Sequence, residues 1–142
     1  MTTDPIHKAY ELEIDIKPED IDQLGHVNNV VYLKWVQDAA VAHWFALASE
    51  KDQKNLLWVV SRHEIDYKRP AFSKDSIMVR TWVGKAFKRD FERHTEILRK
   101  SDMKLLAKAR TLWCPIDPKT KRPVRVSEDV YKKFSTQEAK HR

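Results

Sequence analysis

Residues 20–29 read Asp20-Ile21-Asp22-Gln23-Leu24-Gly25-His26-Val27-Asn28-Asn29, and the run from Val30 to Ala48 is apolar apart from Lys34, Gln37, Asp38 and His43. A polar turn thus opens directly into the longest helical pattern of the chain, predicted to run to about Ser49. A helix apolar on nearly every side has to be wrapped by other elements. Its first turn offers free backbone N–H groups and the positive end of the helix dipole. Buried helix and polar turn together mark the place where this chain is expected to do its work, with Asn28 or Asn29 as the N-cap.

Outward from the helix the pattern changes to period two. Lys8 to Lys17 places Tyr10, Leu12, Ile14 and Ile16 on one face and charged residues on the other, a half-buried strand ended by Pro18. After a solvated loop expected at 50–55, a strand is predicted from Leu56 to Arg69. Simple alternation assigns Val59, Ser61, His63, Ile65 and Tyr67 to one face and Trp58, Val60, Arg62, Glu64, Asp66 and Lys68 to the other. Ser76–Val83 follows with Ile77, Val79, Thr81 and Val83 together, then a basic connection from Gly84 to Arg89. Phe91–Arg99 and Leu105–Cys114 complete the strands, the last with Leu105, Ala107, Ala109, Thr111 and Trp113 on one face. Ser127 caps a short helix through Phe134, and 137–142 reads as a frayed tail.

Consecutive strands joined by tight turns make an antiparallel sheet, and one apolar helix on its face makes the class α+β. About five strands curled around one long central helix satisfy both patterns. The apolar residues read as outward, Trp58, Val60, Met78 and Trp82, point to faces covered by another subunit.

The totals narrow the function classes. At 142 residues, 42% hydrophobic and 34% charged, the chain is expected to be one globular domain with its core between about 8 and 134. The single Cys114 excludes an intrachain disulfide and a cysteine-cluster metal site, and its setting, Leu112-Trp-Cys-Pro115, suits an inert thiol. The first ten residues lack an apolar signal core, and Lys34 and Asp38 interrupt the Val30–Ala48 run. Neither secretion nor a membrane span is expected, and a cytoplasmic location is the default. The net charge of +6 suits an anionic partner such as nucleic acid, a phosphorylated cofactor or an acidic carrier protein, and equally serves plain solubility. The basic residues are dispersed and no nucleic-acid recognition motif is visible.

Several stretches resemble one family. Asp22-x-x-Gly25-His26-Val27-x-Asn29-x-x-Tyr32 resembles the helix-start motif of the hotdog-fold acyl thioesterases of the 4-hydroxybenzoyl-CoA thioesterase-like family. Glu64-Ile-Asp-Tyr-Lys-Arg-Pro70, Asp75-Ser-Ile-Met-Val-Arg-Thr-Trp-Val83 and Leu106–Pro123 are similar to that family's later strands, in the same order. The likeness runs from about Lys8 to Phe134. It implies a hotdog fold, a homodimer with a continuous sheet or a homotetramer built from such dimers, and hydrolysis of acyl-CoA thioesters. Coenzyme A is then part of the substrate, and no metal or redox cofactor is implied.

Residue by residue, the resemblance assigns Asp22 as the carboxylate that attacks the thioester carbonyl or activates a water. A turn aspartate ahead of a helix is otherwise a cap. The oxyanion donor falls on the backbone N–H of Asn29, where a helix N-terminus independently favours negative charge. Acyl-carrier-protein thioesterases of plants show a similar Asp-x-Asn-x-His-Val-Asn-Asn pattern. That likeness makes His26 a base or positioning group, although Leu24 stands where their asparagine does; otherwise His26 is a loop histidine bonded to backbone. Gly25, Val30 and Tyr32 fall on substrate-contacting positions of the motif. His63 and Glu64 are candidates to line the neighbouring subunit's pocket, Glu64 being equally suited to a cross-strand ion pair. Lys85, Lys88, Arg89 and Arg93 form a basic cluster for the phosphates of coenzyme A or for an acyl carrier protein, or simply a solvated turn. A dehydratase-type hotdog lyase and a noncatalytic acyl-binding module are the other classes; the first would need a glycine- and proline-rich histidine motif that is not visible here.

Overall fold

The structure is a computed structural model that describes residues 9–86 and 90–135. In chain order the elements are β1 (Tyr10–Asp15), a 3-10 turn (Pro18–Asp20), α1 (Asn29–Leu47), α2 (Glu50–Asn55), β2 (Leu57–Tyr67), β3 (Ser76–Ala86), β4 (Phe91–Arg99), β5 (Lys104–Ile116) and α3 (Glu128–Phe134). The strands form one antiparallel sheet in the order β1-β3-β4-β5-β2. The sheet edges are therefore β1 and β2, the strands immediately before and after α1 in sequence.

Helix α1 crosses one face of this sheet. Its Tyr32, Trp35, Val36, Ala39, Ala40, His43 and Trp44 are buried, and the first four cluster with Ile77 and Val79 of β3, Ile97 of β4 and Leu106 and Ala107 of β5. Burial of this kind stabilises by roughly 1.5 to 3 kcal/mol per large apolar side chain. A second cluster joins Trp44, Leu56, Val83, Phe91, Val130 and Phe134, so α3 closes the end of the core beneath the C-terminal half of α1.

Four sequence expectations change. Residues 50–55 are a helical turn, not a loop: the Ser49 hydroxyl accepts from the Asp52 N–H (3.1 Å), with Glu50 and Asp52 near its positive end and Lys54 near its negative end. The wrapping of α1 is one-sided, because Val30, Val41 and Phe45 remain 69%, 48% and 58% exposed along one stripe.

Strand β2 carries an extra residue at Ser61, where pairing steps from Val60–Trp113 to Arg62–Leu112. The bulge reverses the alternation. Trp58 and Val60 therefore share the inward face with His63, Ile65 and Tyr67, while Val59 is turned out. Trp58 is not an outward residue: its ring packs against Trp44 and Phe91. A similar irregularity in β5 leaves Leu106 without a cross-strand partner between the Ile97–Ala107 and Leu98–Leu105 pairs, so Leu106 and Ala107 are both buried.

No helix among the described residues is long and apolar enough to cross a membrane.

Candidate functional site

The turn ahead of α1 is built by its own aspartate. One carboxylate oxygen of Asp22, Oδ1, accepts from the N–H groups of Leu24 (2.9 Å) and His26 (3.1 Å). The Asp22 N–H donates to the His26 carbonyl (2.7 Å), and the Gly25 N–H to the Asp22 carbonyl (3.1 Å). The chain can reverse this tightly because Gly25 takes φ +80°, a left-handed conformation that a side chain would strain. A second set of bonds docks the turn. Val27 is buried and donates to Ala71, and the Asn28 N–H reaches back to the Asp20 carbonyl (2.8 Å).

Asn28 is the N-cap, its Oδ1 accepting from the Val30 N–H (3.1 Å), and Val31 donates to the Asn28 carbonyl. The N–H of Asn29, first residue of α1, has no acceptor among the described residues. The Oδ2 atom of Asp22 likewise takes no hydrogen bond there. The site thus holds a half-buried carboxylate, fixed through one oxygen and open at the other. It precedes a helix start with a free backbone donor. Such a pair can take up a proton or attack an electrophilic carbon at one point and hold a developing oxyanion at another.

Leu24, Val30 and Phe72 lie 77%, 69% and 42% exposed near this turn. Phe72 pairs with His26 through a short β-bridge and stacks edge-on against its ring (5.1 Å between centroids). His26 is therefore part of the turn, with its backbone bonded to Asp22 and its ring against an apolar neighbour.

The remaining predicted residues divide. Tyr32 lies in the core rather than on an open surface, since its hydroxyl accepts from the Ala71 N–H (3.0 Å) and only 2% of the residue is exposed. Burial raises the Tyr32 phenol above its usual range, and the charges of Asp75 and Asp22 contribute in the same direction. His63 is half-buried on the inward face of β2, with Nδ1 3.0 Å from Thr111 Oγ1, and burial lowers its pKa. Glu64 points to the opposite face, bound by Arg62 (2.8 Å) and Arg110 (3.2 Å), so within one chain it is an ion-pair residue and does not reach the turn.

The basic cluster is not a single surface. Lys88 and Arg89 lie outside the described residues, as does the 137–142 tail, and Lys85 is exposed. Arg93 is 6% exposed and faces inward, donating through Nη1 to His43 Nδ1 (2.9 Å) and Thr81 Oγ1 (3.1 Å). Alternation on β4 dictates this, because Arg93 shares its face with the buried Phe91, Thr95 and Ile97. Among the described residues no group of three His, Cys, Asp or Glu side chains converges as metal ligands.

Tyr67 escaped the sequence reading. Its hydroxyl donates to the Asn29 carbonyl (3.0 Å) and its ring packs against Tyr32. The sequence signal was present in its inward face beside Ile65, but nothing local tells which element that face meets. At the other end of α1 lies a mostly apolar cavity of about 210 Å³ reaching from Ala40 to Phe134.

A profile of the thioesterase-like superfamily matches residues 16–134. The chain is 24% identical over 124 residues to the chloroplastic acyl-[acyl-carrier-protein] hydrolase FATB3 of Cuphea viscosissima, covering 87% of this chain and 30% of that protein. The chain thus spans about a third of the length of the curated relatives it matches. Among solved structures, the YbaW probable thioesterase from Escherichia coli superposes with a TM-score of 0.74 at 23% identity, covering 87% of this chain and 94% of that one. Slr0204 from Synechocystis, a 1,4-dihydroxy-2-naphthoyl-CoA thioesterase, gives a TM-score of 0.74 at 19% identity, covering 88% and 94%. The sheet wrapped on α1 is the hotdog fold that the sequence led us to expect, and the chain belongs to the thioesterase-like superfamily.

Proposed function

We propose that this member of the thioesterase-like superfamily hydrolyses acyl-CoA thioesters to the free acid and coenzyme A, with Asp22 and the Asn29 N–H as the working groups. The observation that carries the reading is the division of labour within Asp22. Oδ1 is committed to the turn by two backbone donors, while among the described residues Oδ2 has no partner and the helix start that follows has a free N–H.

In the general-base route Oδ2 takes a proton from water as its oxygen bonds to the thioester carbon. The carbonyl oxygen becomes an oxyanion held by the Asn29 N–H, and the C–S bond breaks as the tetrahedral intermediate collapses. The departing sulfur carries the electron pair and is protonated from Asp22 or solvent. In the nucleophilic route Oδ2 itself bonds to the carbon, the C–S bond breaks with the thiolate leaving on its electron pair and taking a proton from solvent, and water then opens the resulting mixed anhydride to the free acid and the Asp22 carboxylate. Both routes use the same two groups and release the same products. His26, bonded through its backbone to Asp22, keeps the turn in shape; Gly25 and Val30 leave room for the substrate's approach.

Deciding the assignment takes a hydrolysis screen over aliphatic and aromatic acyl-CoAs, with Asp22→Asn as the control. A drop of about a hundredfold or more is expected for the loss of one acid–base group. Rates within a few-fold of the parent would sink the reading. Single-turnover hydrolysis in 18O-water followed by mass spectrometry of the Asp22 peptide tests the nucleophilic route, since label in the protein requires water to attack the Asp22 carbonyl of an anhydride.

Acyl carrier protein is the second reading of the acyl donor, supported by the names of the curated relatives. Comparing kcat/KM for one acyl group carried on coenzyme A and on carrier protein decides between them. The edge strand β2, with Leu57 and Val59 42% and 44% exposed, and the exposed Val30–Val41–Phe45 stripe of α1 support a homodimer joined along β2. Light scattering on the purified chain tests it, with a monomer counting against.

A further inference from the structure

The turn that carries Asp22 and the helix that offers the Asn29 N–H meet at one residue. Asn28 is extended (φ −61°, ψ 138°) and Asn29 opens α1, so rotation at this single N-cap swings the turn against the helix. The Asn28 N–H bonds back to the Asp20 carbonyl and its side chain forward to the Val30 N–H. Neither bond reaches from the turn to the helix.

A bridge through Ala71 does. The Val27 N–H donates to the Ala71 carbonyl (2.9 Å), and the Ala71 N–H donates to the Tyr32 hydroxyl (3.0 Å). Val27 precedes the pivot and Tyr32 lies in the first turn beyond it, so the two bonds close a ring across Asn28. The Asp22 carboxylate moves with Val27, because His26 donates to Oδ1 and accepts from the Asp22 N–H.

Every member of the bridge is buried, Ala71 completely. An N–H at that depth needs an acceptor, and the phenol oxygen supplies it. The Tyr32 ring packs edge-on against Trp35 and Tyr67 (5.4 and 5.3 Å between centroids), which leaves the hydroxyl little freedom to follow a moving partner. The Ala71 segment is anchored on its far side as well. Asp75 Oδ2 accepts from the Phe72 N–H (2.9 Å) beside Arg99 Nε (3.6 Å), and Phe72 bridges to His26.

We propose, on the reading of Asp22 and the Asn29 N–H as the working pair, that Tyr32 is a positioning residue: through Ala71 and Val27 its hydroxyl sets the separation of those two groups. Tyr32 acts from the core without touching the reacting atoms. A misplacement of about 1 Å between reacting groups costs about a hundredfold in rate, while contacts to the rest of the substrate are untouched. The loss should therefore fall on kcat and spare KM.

Tyr32→Phe keeps the ring and removes the hydroxyl, and Ile97→Val serves as a core deletion in β4 away from the turn. With one acyl-CoA substrate, Tyr32→Phe is expected to lose about tenfold or more in kcat at a KM within about twofold of the parent's, and Ile97→Val to keep kcat within about twofold. Added to Asp22→Asn, Tyr32→Phe should lower the residual kcat by less than about twofold, because no carboxylate is left to place; a core defect unrelated to the site would lower both backgrounds alike. Native-state hydrogen exchange reads the bridge without turnover. The Val27 amide, taken relative to the β4 amides, should exchange about tenfold or more faster in Tyr32→Phe than in Ile97→Val.

A Tyr32→Phe kcat within about twofold of the parent's, beside an inactive Asp22→Asn, overturns the proposal and leaves the Asp22 reading standing. An unchanged Val27 exchange ratio overturns it too, since the bridge would then not hold the turn. No hydrolysis by the parent chain, or an Asp22→Asn variant as active as the parent, removes both. If Tyr32→Phe does not fold, Asp75→Ala decides in its place, because it releases the same segment at Phe72 and lies outside both core clusters. Its kcat is expected to fall about threefold or more with KM kept, and turnover equal to the parent's overturns the proposal.

Discussion

The hydroxyl of Tyr67 donates to the carbonyl oxygen of Asn29 across 3.0 Å, joining the end of edge strand β2 to the first turn of α1. The bond fixes the peptide that follows Asn29 and thereby the direction of the helix start. Tyr67→Phe keeps the ring contact with Tyr32 and removes only the hydroxyl. Stability is expected to fall by about 1 kcal/mol or less, since Tyr67 is partly exposed and the bond is neutral. Turnover should fall more than stability does, with kcat reduced severalfold at unchanged fold, because the proposed oxyanion donor, the Asn29 N–H, belongs to the same turn. Thermal melts and steady-state kinetics on one preparation check both parts; a kcat equal to the parent's would show that Tyr67 plays no part in aiming the site.

Asp22 has a structural role in its turn and a proposed chemical one, and two substitutions separate them. Asp22→Asn retains an oxygen that can accept from Leu24 and His26, so its melting temperature should stay near the parent's. Asp22→Ala removes both bonds and should cost about 1 to 2 kcal/mol, in the range of a lost helix-proximal cap. Hydrolysis should be lost in both, by about a hundredfold or more. A stable Asp22→Asn variant that hydrolyses normally would leave the aspartate with its turn-forming role alone.

Gly25 offers a cleaner backbone test. A Cβ built there meets no atom within 4 Å, so Gly25→Ala creates no collision and the whole effect comes from φ +80°. The expected cost is about 1 kcal/mol in the left-handed region. Gly25→Asn should cost less, since asparagine tolerates that conformation. Chemical denaturation of the three proteins gives the order directly, and an alanine variant as stable as the parent would mean the turn relaxes to a different backbone.

The parts of this molecule legible in its sequence are those fixed by local pattern. The polar turn, an asparagine cap at 28 or 29, the boundaries of β4 and the inward faces of β1 and β3 follow from residue type and period alone. What escaped depends on partners distant in sequence. Alternation in β2 assigns the inward face correctly from His63 to Tyr67 and wrongly before the bulge, because the extra residue at Ser61 exists only relative to β5. Trp58 therefore reads as an outward residue from the sequence. Arg93 reads as a surface cation because a basic residue between polar neighbours carries no local sign of facing inward; only the β4 register and His43 from α1 show it.

The His43–Arg93 contact predicts how stability responds to acid. His43 is 2% exposed, its ring lying between Tyr10 and Phe134 (5.2 and 5.0 Å between centroids), with the Arg93 guanidinium on Nδ1 and no ion pair to an acidic side chain among the described residues. Burial, reinforced by the Arg93 charge, lowers its pKa to about 3. The unfolded chain takes up the proton near the ordinary histidine value of about 6.5. Below that pH the unfolded state binds more protons than the folded state, so stability falls as pH falls from about 6.5 toward 3, by up to about 1.4 kcal/mol per unit. His63, lowered by burial, adds in the same direction. The carboxyl groups held low, Glu92 by Arg110 and His94 against its burial and Asp102 by the Lys104 N–H and Arg99, lose their contribution only at lower pH. The window from 6.5 to 5 is therefore diagnostic of the histidines. Denaturation across that window should show a falling stability in the parent and a flatter profile in His43→Gln, which keeps an acceptor for Arg93 but cannot charge. An equally steep profile in the variant would place the proton uptake elsewhere.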